Sequence, residues 1–193
     1  MPSPITIEKT DIADVWLIEN PIFADERGFF METYSKEALA AEGLDKSFVQ
    51  DNLSLSRKGA LRGLHYQIDP HAQGKLIRAV DGALFDVAVD LRRGSPTFGR
   101  WTGRILSREN GLALWIPPGF AHGFLALEEP TVMLYKCTLA YDREAERSLA
   151  FDDPAIAIEW PFEPTVVSQK DREAPRLDEA EYNFVYGGNE EDA

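Results

Sequence analysis

Two residues with chemically useful side chains, Arg62 and His65, lie close together in the segment KGALRGLHYQ. The leucines and the tyrosine of this segment are typical of a strand. The histidine is notable because the whole chain contains only 3. An imidazole can exchange a proton near neutral pH, and a guanidinium binds the oxygens of a phosphate in pairs. The segment therefore predicts a strand that carries an acid–base residue and an anion-binding residue.

The spacing of these two residues raises a geometric question. In an unbroken strand Arg62 and His65 face opposite sides of the sheet, because their separation is odd. Both can line one cavity only if the alternation breaks between them, and Gly63 is the candidate for a bulge or kink. A regular strand through 61–66 would instead place Arg62 on the outer face, away from a site in the same subunit.

His122 lies in the segment IPPGFAHGF, which we interpret as a loop that begins with a rigid Pro-Pro-Gly turn. Its Pro-x-Gly-x-x-His pattern, ending at His122, resembles the second motif of the cupin jelly rolls. Metal-binding cupins combine that histidine with a His-x-His pair, but here His65 is followed by Tyr66 and Gln67, and His71 lies in a predicted loop beside Pro70. A transition metal is therefore not expected. His122 either fills a structural position in the core or lines a site.

Several further charged residues interrupt strand patterns: Arg27, Glu32, Lys75, Lys170 and Asp171. Each one alone is typical of a protein surface. Taken together with Arg62 and His65, they predict a polar, anion-binding cavity inside a small barrel.

The elements that would position these residues are mostly strands with a period of two. Ser35 predicts the N-cap of one short helix over 36–42, which Gly43 ends. Asp81-Gly82 predicts a type I′ turn that joins two strands of a hairpin over 75–91. Further strands are predicted over 5–7, 15–18, 29–34, 48–56, 58–67, 98–106, 112–116, 124–127 and 132–141.

This spacing of strands predicts an all-β protein, an antiparallel sandwich or barrel with a few short helices. The length of 193 residues predicts a single domain. The C-terminal third is more irregular. From Glu173 to Ala193 the chain carries seven acidic residues against the single base Arg176, which indicates a solvated acidic tail.

Composition excludes several classes of partner. The net charge of −13 disfavours binding to nucleic acid or to an anionic membrane surface. A single cysteine, Cys137, allows neither an intrachain disulfide nor a thiolate metal cluster. We find neither a signal-peptide pattern nor an apolar run of about 18 residues, so a cytoplasmic protein is expected.

Seven segments in the same order resemble the dTDP-4-dehydrorhamnose 3,5-epimerase family. They are DERGFFMETY, FVQDNLSLS, GALRGLHYQ, QGKLIRAVDGALFDVAVDLRRGSPTFGRW, LWIPPGFAHGFLAL, LYKCTLAYDREAER and VSQKD, and they extend from about Asp25 to Asp171. The resemblance implies a cupin-type antiparallel jelly roll with no metal and no cofactor. It also implies a homodimer whose subunits exchange N-terminal segments, so that Arg27 can reach the site of the neighbouring subunit.

The resemblance further implies a role for each matching residue. His65 is the expected general base, Asp171 orients it, Tyr135 is the general acid and Lys75 stabilises an enolate oxygen. Tyr141 is expected to stack on the thymine ring, and its spacing from Tyr135 predicts that both lie on one face of a strand, which also suits two core tyrosines. Asp171 could also simply cap a turn. The full expected substrate-binding set is Arg27, Glu32, Gln50, Asp51, Asn52, Arg62, Lys75, His122, Tyr141, Glu146 and Lys170.

The implied substrate is dTDP-4-dehydro-6-deoxy-D-glucose, whose C4 ketone makes the hydrogens on C3 and C5 acidic. A neutral histidine can remove such a hydrogen without a cofactor, and inversion needs a different acid on the other face. Three alternatives stay open: an epimerase that inverts only C3 of a related dTDP-4-keto-6-deoxy sugar, a metal-dependent cupin oxygenase, and a sugar-nucleotide binding protein without catalysis.

Overall fold

The computed structural model describes residues 5–187. Glu190, Glu191 and Asp192 of the predicted acidic tail lie outside the described residues. Fourteen strands and two short helices are described. In chain order they are β1 (Thr6–Lys9), β2 (Trp16–Glu19), β3 (Ile22–Asp25), β4 (Gly28–Met31), α1 (Lys36–Ala41), β5 (Gln50–Ser56), β6 (Ala60–Gln67), β7 (Lys75–Asp81), β8 (Ala83–Asp90), β9 (Trp101–Ser107), β10 (Leu112–Ile116), β11 (Phe120–Ala126), β12 (Thr131–Cys137), β13 (Glu146–Ser148), β14 (Val166–Val167) and α2 (Gln169–Arg172).

The strands form two main sheets. The first has the order β1-β2-β10-β7-β12-β5, and the second has the order β13-β6-β11-β8-β9. Neighbouring strands in both sheets are antiparallel, while the short β14 pairs with β6 in parallel. Strands β3 and β4 form a separate two-stranded ribbon. The predicted all-β, cupin-type antiparallel jelly roll is confirmed.

Three apolar clusters hold the layers together. The central cluster lies between the two sheets, and Ile77 and Leu114 of the first sheet meet Leu84 and Phe124 of the second there. A second cluster covers the outer face of the second sheet, and a third lies under α1 on the outer face of the first. Strands of an antiparallel sheet that is covered on both faces read as continuous apolar runs, as β8 and β11 do.

The predicted short helix is confirmed in α1. The Ser35 hydroxyl accepts a hydrogen bond from the Ala38 N–H, as an N-cap does, and Leu39 packs inward. Gly43 follows with φ +95°, a conformation that ends helices at glycine. Within residues 5–187 no helix is long and apolar enough to cross a membrane.

The predicted hairpin over 75–91 is wrong. Gly82 does turn the chain, with φ +65°, but β7 pairs with β10 and β12 while β8 pairs with β9 and β11. The turn therefore carries the chain from one sheet to the other. The Asp-Gly sequence predicts only that the chain turns there. Which strands pair depends on segments that are distant in sequence.

Three smaller expectations also need correction. Strand β11 begins at Phe120, so His122 lies inside a strand and not in a loop. Strand β12 ends at Cys137, so Tyr141 follows in a loop and does not share a strand face with Tyr135. The sequence-based prediction also missed β3, β13, β14 and α2.

The described part of the predicted acidic tail is packed against the second sheet. Phe184 is buried with Tyr66, and Leu177 and Tyr182 join the same cluster. The Arg93 N–H donates to the Phe184 carbonyl at 3.0 Å, which attaches the segment to the loop after β8. The interpretation as a solvated tail is wrong for this part, because apolar residues recur between the acidic ones.

Candidate active site

The predicted break in alternation is present in β6. His65 pairs with His122, and Arg62 pairs with Phe124, so β6 advances three residues where β11 advances two. Gly63 lies in this bulge with φ +133°, and a Cβ there would lie 2.5 Å from the Gly123 Cα. Only glycine therefore fits, and the bulge turns both side chains toward one cavity.

A cavity of about 480 Å³ opens between the two sheets. It brings together seven of the predicted site residues with apolar side chains from β6, β11 and β12. The predicted residues that line it are Arg62, His65, Lys75, His122, Tyr135, Lys170 and Asp171.

A histidine–carboxylate pair lies in the wall formed by β6. His65 Nε2 is 2.6 Å from Asp171 Oδ1, with side chains 31% and 4% exposed. Asp171 comes from α2, where its N–H donates to the Ser168 hydroxyl at 3.1 Å. Because a carboxylate only accepts, the His65 Nε2–H donates, and Nδ1 is the nitrogen that can take a proton from a bound molecule.

The environment keeps the Asp171 carboxyl ionised. Burial by itself would raise its pKa, but the contacts with His65, with the Ser168 hydroxyl and with the Gly63 N–H lower it below the ordinary value. An ionised partner fixes the tautomer of the imidazole and stabilises its protonated form. His65 is therefore equipped to act as a general base.

Two further groups approach from the opposite wall. Lys75 on β7 and Tyr135 on β12 belong to the first sheet, whereas His65 on β6 belongs to the second. Burial raises the pKa of the Tyr135 phenol, which keeps its proton available, and burial lowers the pKa of the Lys75 ammonium. A molecule held between the sheets would therefore have an imidazole on one side and a phenol on the other.

The pairing register of β5 shows which of its predicted site residues face the cavity. Gln50 pairs with Cys137, which pairs with Lys75, and Asn52 pairs with Tyr135. Gln50 and Asn52 therefore share the cavity-facing side of the first sheet. Asp51 lies on the other side, where it forms an ion pair with Lys136 at 2.9 Å, and it is not brought to the cavity of its own subunit.

A small polar cluster stands at the mouth of the cavity. The Tyr141 hydroxyl donates to Glu146 Oε2 at 3.2 Å, and Lys170 Nζ lies 2.7 Å from the same oxygen. Burial would raise the pKa of Glu146, but Lys170 and Tyr141 together hold it below its ordinary value. The Tyr141 ring is 53% exposed, so its face is free for a planar group.

Arg27 and Glu32 are not brought to this cavity. Both lie in or beside the β3–β4 ribbon, and Arg27 bonds to the neighbouring Asp25 carboxylate. The Arg27 side chain is 85% exposed. Their predicted role in substrate binding stays a prediction that involves a second subunit.

Comparison with known proteins places these features in a family. A profile described as dTDP-4-dehydrorhamnose 3,5-epimerase matches residues 9–179. The chain is also 49% identical over 179 residues to the dTDP-4-dehydrorhamnose 3,5-epimerase of Shigella flexneri, covering 92% of this chain and 99% of that protein. This chain belongs to the dTDP-4-dehydrorhamnose 3,5-epimerase family.

Two solved structures show how far the resemblance to this epimerase family extends. The dTDP-6-deoxy-D-glucose-3,5-epimerase of Legionella pneumophila, solved with dTDP-4-keto-L-rhamnose, is 49% identical with a TM-score of 0.86, covering 90% of this chain and 93% of that one. A 3′-monoepimerase of Streptomyces bikiniensis, solved with dTDP-quinovose, is 37% identical with a TM-score of 0.83, covering 89% and 87%.

Asp86, a fully buried residue that contacts the cavity-lining His122, was not selected from the sequence. His122 Nε2 lies 2.7 Å from Asp86 Oδ1, and both side chains are buried. Asp86 Oδ2 has no hydrogen-bond partner among the described residues. A carboxylate inside the apolar run ALFDVAVD was the available signal, because such a residue needs a buried partner. Within residues 5–187 no three His, Cys, Asp or Glu side chains form a candidate metal site.

Proposed function

We propose that this chain is a 3,5-epimerase that converts dTDP-4-dehydro-6-deoxy-D-glucose to dTDP-4-dehydro-L-rhamnose. The single observation that supports this most strongly is the placement of the His65–Asp171 pair on one sheet and of Tyr135 on the other. Epimerisation next to a ketone needs a base and an acid on opposite faces of the sugar, and the two sheets supply them.

The reaction begins with His65. Its Nδ1 takes the proton from C3, the electrons of the C–H bond move to form a C3–C4 double bond, and the C4 oxygen becomes an enolate. The charge on that oxygen is stabilised by the Lys75 ammonium, and the new imidazolium by Asp171. A preorganised donor at such an oxygen contributes on the order of 3–4 kcal/mol.

Tyr135 completes each inversion. Its O–H gives a proton to the opposite face of the carbon, the enolate electrons return to form the new C–H bond, and the ketone is restored. The imidazolium and the phenolate then exchange protons with solvent before the next event. The same sequence at C5 gives the second inversion, and no electrons are gained or lost overall, so no redox cofactor is needed.

Substrate binding follows from the charges around the cavity. Arg62 and Lys170 lie on its wall and suit the diphosphate, whose oxygens accept charge-assisted hydrogen bonds. Tyr141 presents an exposed ring for the thymine, with Glu146 beside it. Gln50, Asn52 and His122 are proposed to contact the sugar, and Asp51 keeps its proposed role only through family resemblance.

We also propose a homodimer in which the β3–β4 ribbon of each subunit reaches the site of the other. The ribbon exposes Ile22, Phe23, Phe29 and Phe30, which is unusual for a segment surrounded only by water. Arg27 and Glu32 would then join the partner's cavity. A cytoplasmic location is proposed on chemical grounds, since a charged nucleotide sugar does not cross a bilayer unaided.

Incubation with dTDP-4-dehydro-6-deoxy-D-glucose in D₂O tests the reaction. The expected result is deuterium at both C3 and C5 and a product with the L-rhamno configuration, read by NMR. Deuterium at C3 alone would identify the C3-only alternative, for which the similarity to the 3′-monoepimerase is the specific support. Binding without any exchange would identify a sugar-nucleotide binding protein and overturn the proposal.

A further inference from the structure

Arg78 is a buried cation without an anionic partner. It lies on β7 and is 4% exposed, and within residues 5–187 no carboxylate oxygen lies within 4.0 Å of its nitrogens. Buried arginines are normally paired with a carboxylate, because removing a charge from water is costly. Burial lowers the pKa of the Arg78 guanidinium to about 10, so it remains charged at neutral pH.

The guanidinium instead binds neutral groups at the two ends of one hairpin. Nη2 donates to Asn20 Oδ1 at 2.7 Å and to the Thr33 carbonyl at 2.9 Å, and Nη1 donates to Met31 Sδ at 3.7 Å. The Asn20 side chain in turn donates to the Glu32 carbonyl at 3.0 Å. Arg78 thus joins Asn20, in the short connection between β2 and β3, to the residues at and after the end of β4.

The hairpin between these ends has one other support at its base, where the Ile22 and Met31 side chains pack beside Gly111. Strands β3 and β4 pair only with each other among the described strands, and every residue of β3 is exposed. Asn20 is 3% exposed, so the ends are buried while the body of the hairpin projects outward. Its direction is therefore determined where it leaves the sheet, at Arg78.

We propose that Arg78 is a positioning residue that fixes the direction of the β3–β4 hairpin and so delivers Arg27 and Glu32 to the second subunit. This inference rests on the exchange of the hairpin between subunits that is proposed above. A planar guanidinium suits the task because one rigid group can donate to several acceptors in a fixed geometry, which a lysine ammonium cannot reproduce.

Strand β7 carries the cavity residue Lys75 on one face and the hairpin anchor Arg78 on the other. Lys75 and Arg78 are both on β7, and their odd separation places Lys75 toward the cavity and Arg78 toward the hairpin. The strand that holds the oxyanion-stabilising residue of one site therefore also aims the hairpin at the other site.

Two variants of the full-length protein test the proposal: Arg78→Met, which keeps the volume but removes the donors, and Arg78→Lys, which keeps the charge. Hydrogen exchange of residues 22–31 is expected to accelerate by about tenfold or more in both. The KM for the nucleotide sugar is expected to rise about tenfold while kcat changes by less than about threefold. Arg104→Met is the matched control, since Arg104 donates only within β9, on the other sheet.

The possible results are separable. If Arg78→Met resembles Arg104→Met in hairpin exchange and in KM, Arg78 has a packing role only and the proposal is overturned. If Arg78→Met does not fold, Asn20→Ala removes the same link from the other side and must accelerate hairpin exchange. Arg27→Ala tests separately whether the hairpin contributes to substrate binding: an unchanged KM for that variant, with accelerated hydrogen exchange in Arg78→Met, refutes delivery and keeps only the anchoring role.

Discussion

At the scale of single residues, the buried Asp171 carboxylate determines how His65 can act. The carboxylate occupies Nε2 and leaves Nδ1 to accept a proton, and the bulge at Gly63 brings the imidazole and Arg62 to the same cavity. The residue type alone therefore does not give His65 or Arg62 its place in the site. A histidine in the same strand without the carboxylate would lack a fixed tautomer and a stabilised cation.

Asp171→Asn tests this dependence. The amide keeps the shape of the side chain but removes the charge that stabilises the imidazolium, so kcat for deuterium exchange at C3 and C5 is expected to fall by about 10²–10⁴-fold. Affinity for dTDP should change little, because Asp171 faces the histidine. Glu173→Gln, a nearby exposed carboxylate on the same turn, is the matched control and should retain full activity. Equal rates in both variants would remove Asp171 from the mechanism.

The same carboxylate makes a pH-dependent contribution to stability. Its pKa is lowered in the folded protein, so it binds protons less readily there than in the unfolded chain. The stabilisation is fully present above the unfolded pKa of about 3.9 and is lost as pH falls through the lower folded value. Urea unfolding of the native chain and of Asp171→Asn, measured between about pH 2.5 and pH 7, should show a difference in unfolding free energy that shrinks toward acid. A constant difference would contradict this linkage.

At the scale of elements, the bulge of β6 depends on the absence of a side chain at Gly63. Gly28 has almost the same φ, +132° against +133°, but no heavy atom lies within 4 Å of where its Cβ would be. Gly63→Ala adds a contact of 2.5 Å with the Gly123 Cα to the same backbone strain. We therefore expect Gly63→Ala to lower the unfolding free energy by roughly 1–3 kcal/mol more than Gly28→Ala. Chemical denaturation of both variants measures this, and equal losses would show that the bulge can relax.

The loop that carries Tyr141 is held by a buried glutamine that sequence reasoning did not select. Gln67 accepts from the Asp142 N–H at 2.8 Å and donates to the His71 carbonyl at 2.7 Å and the Ala140 carbonyl at 3.4 Å. Gln67→Leu would leave these groups unpaired, and each such loss costs about 1–3 kcal/mol. The dissociation constant for dTDP, measured by calorimetry, should rise roughly tenfold if Tyr141 is displaced.

Gln73→Leu provides the comparison for this loop. Gln73 donates a single exposed hydrogen bond to the Leu139 carbonyl, so its loss should weaken dTDP binding by less than about threefold. If Gln67→Leu binds dTDP as tightly as the native chain while Tyr141→Ala does not, the loop keeps its shape without the glutamine.

The elements that depend on local signals were predicted well. The N-cap at Ser35 and the glycine after α1 act within one turn, and the alternating pattern of β5 appears as one half-buried and one exposed face along the same strand. The predicted break at Gly63 also used only local information, because alternation and glycine freedom are properties of the strand itself.

Pairing between distant strands could not be predicted in the same way. Asp81-Gly82 marks a turn correctly, yet the partners of β7 and β8 come from β9 to β12 and are chosen by the whole core. The buried partner of His122 was missed for the same reason, since Asp86 is close only after β8 and β11 pair. The packed segment around Phe184 was hidden by the acidic residues between its apolar ones.

At the scale of the whole molecule, the overall charge and the charge around the cavity have opposite signs. The chain carries a net charge of −13, yet Arg62, Lys75 and Lys170 are gathered around one cavity. The overall field disfavours nucleic acids and acidic surfaces, while the local cations suit the small anionic substrate that we propose. The exposed β3–β4 hairpin, with Arg27 at its turn, adds one more cation that has no place in the cavity of its own subunit.

Hybrid dimers decide whether that hairpin acts on its own site or on the neighbouring one. Coexpression with two affinity tags yields a heterodimer of His65→Ala and Arg27→Ala chains. If hairpins are exchanged, both defects fall in one site and the other site is intact, so about half of the native activity is expected. If each hairpin serves its own subunit, one site lacks its base and the other lacks Arg27, so activity assayed well below KM falls to about one tenth of that value. The heterodimer of a double-variant chain with a native chain must give the reverse pattern below KM: the tenfold lower value with exchange, because the defective hairpin enters the only site with a base, and about half the native activity without it.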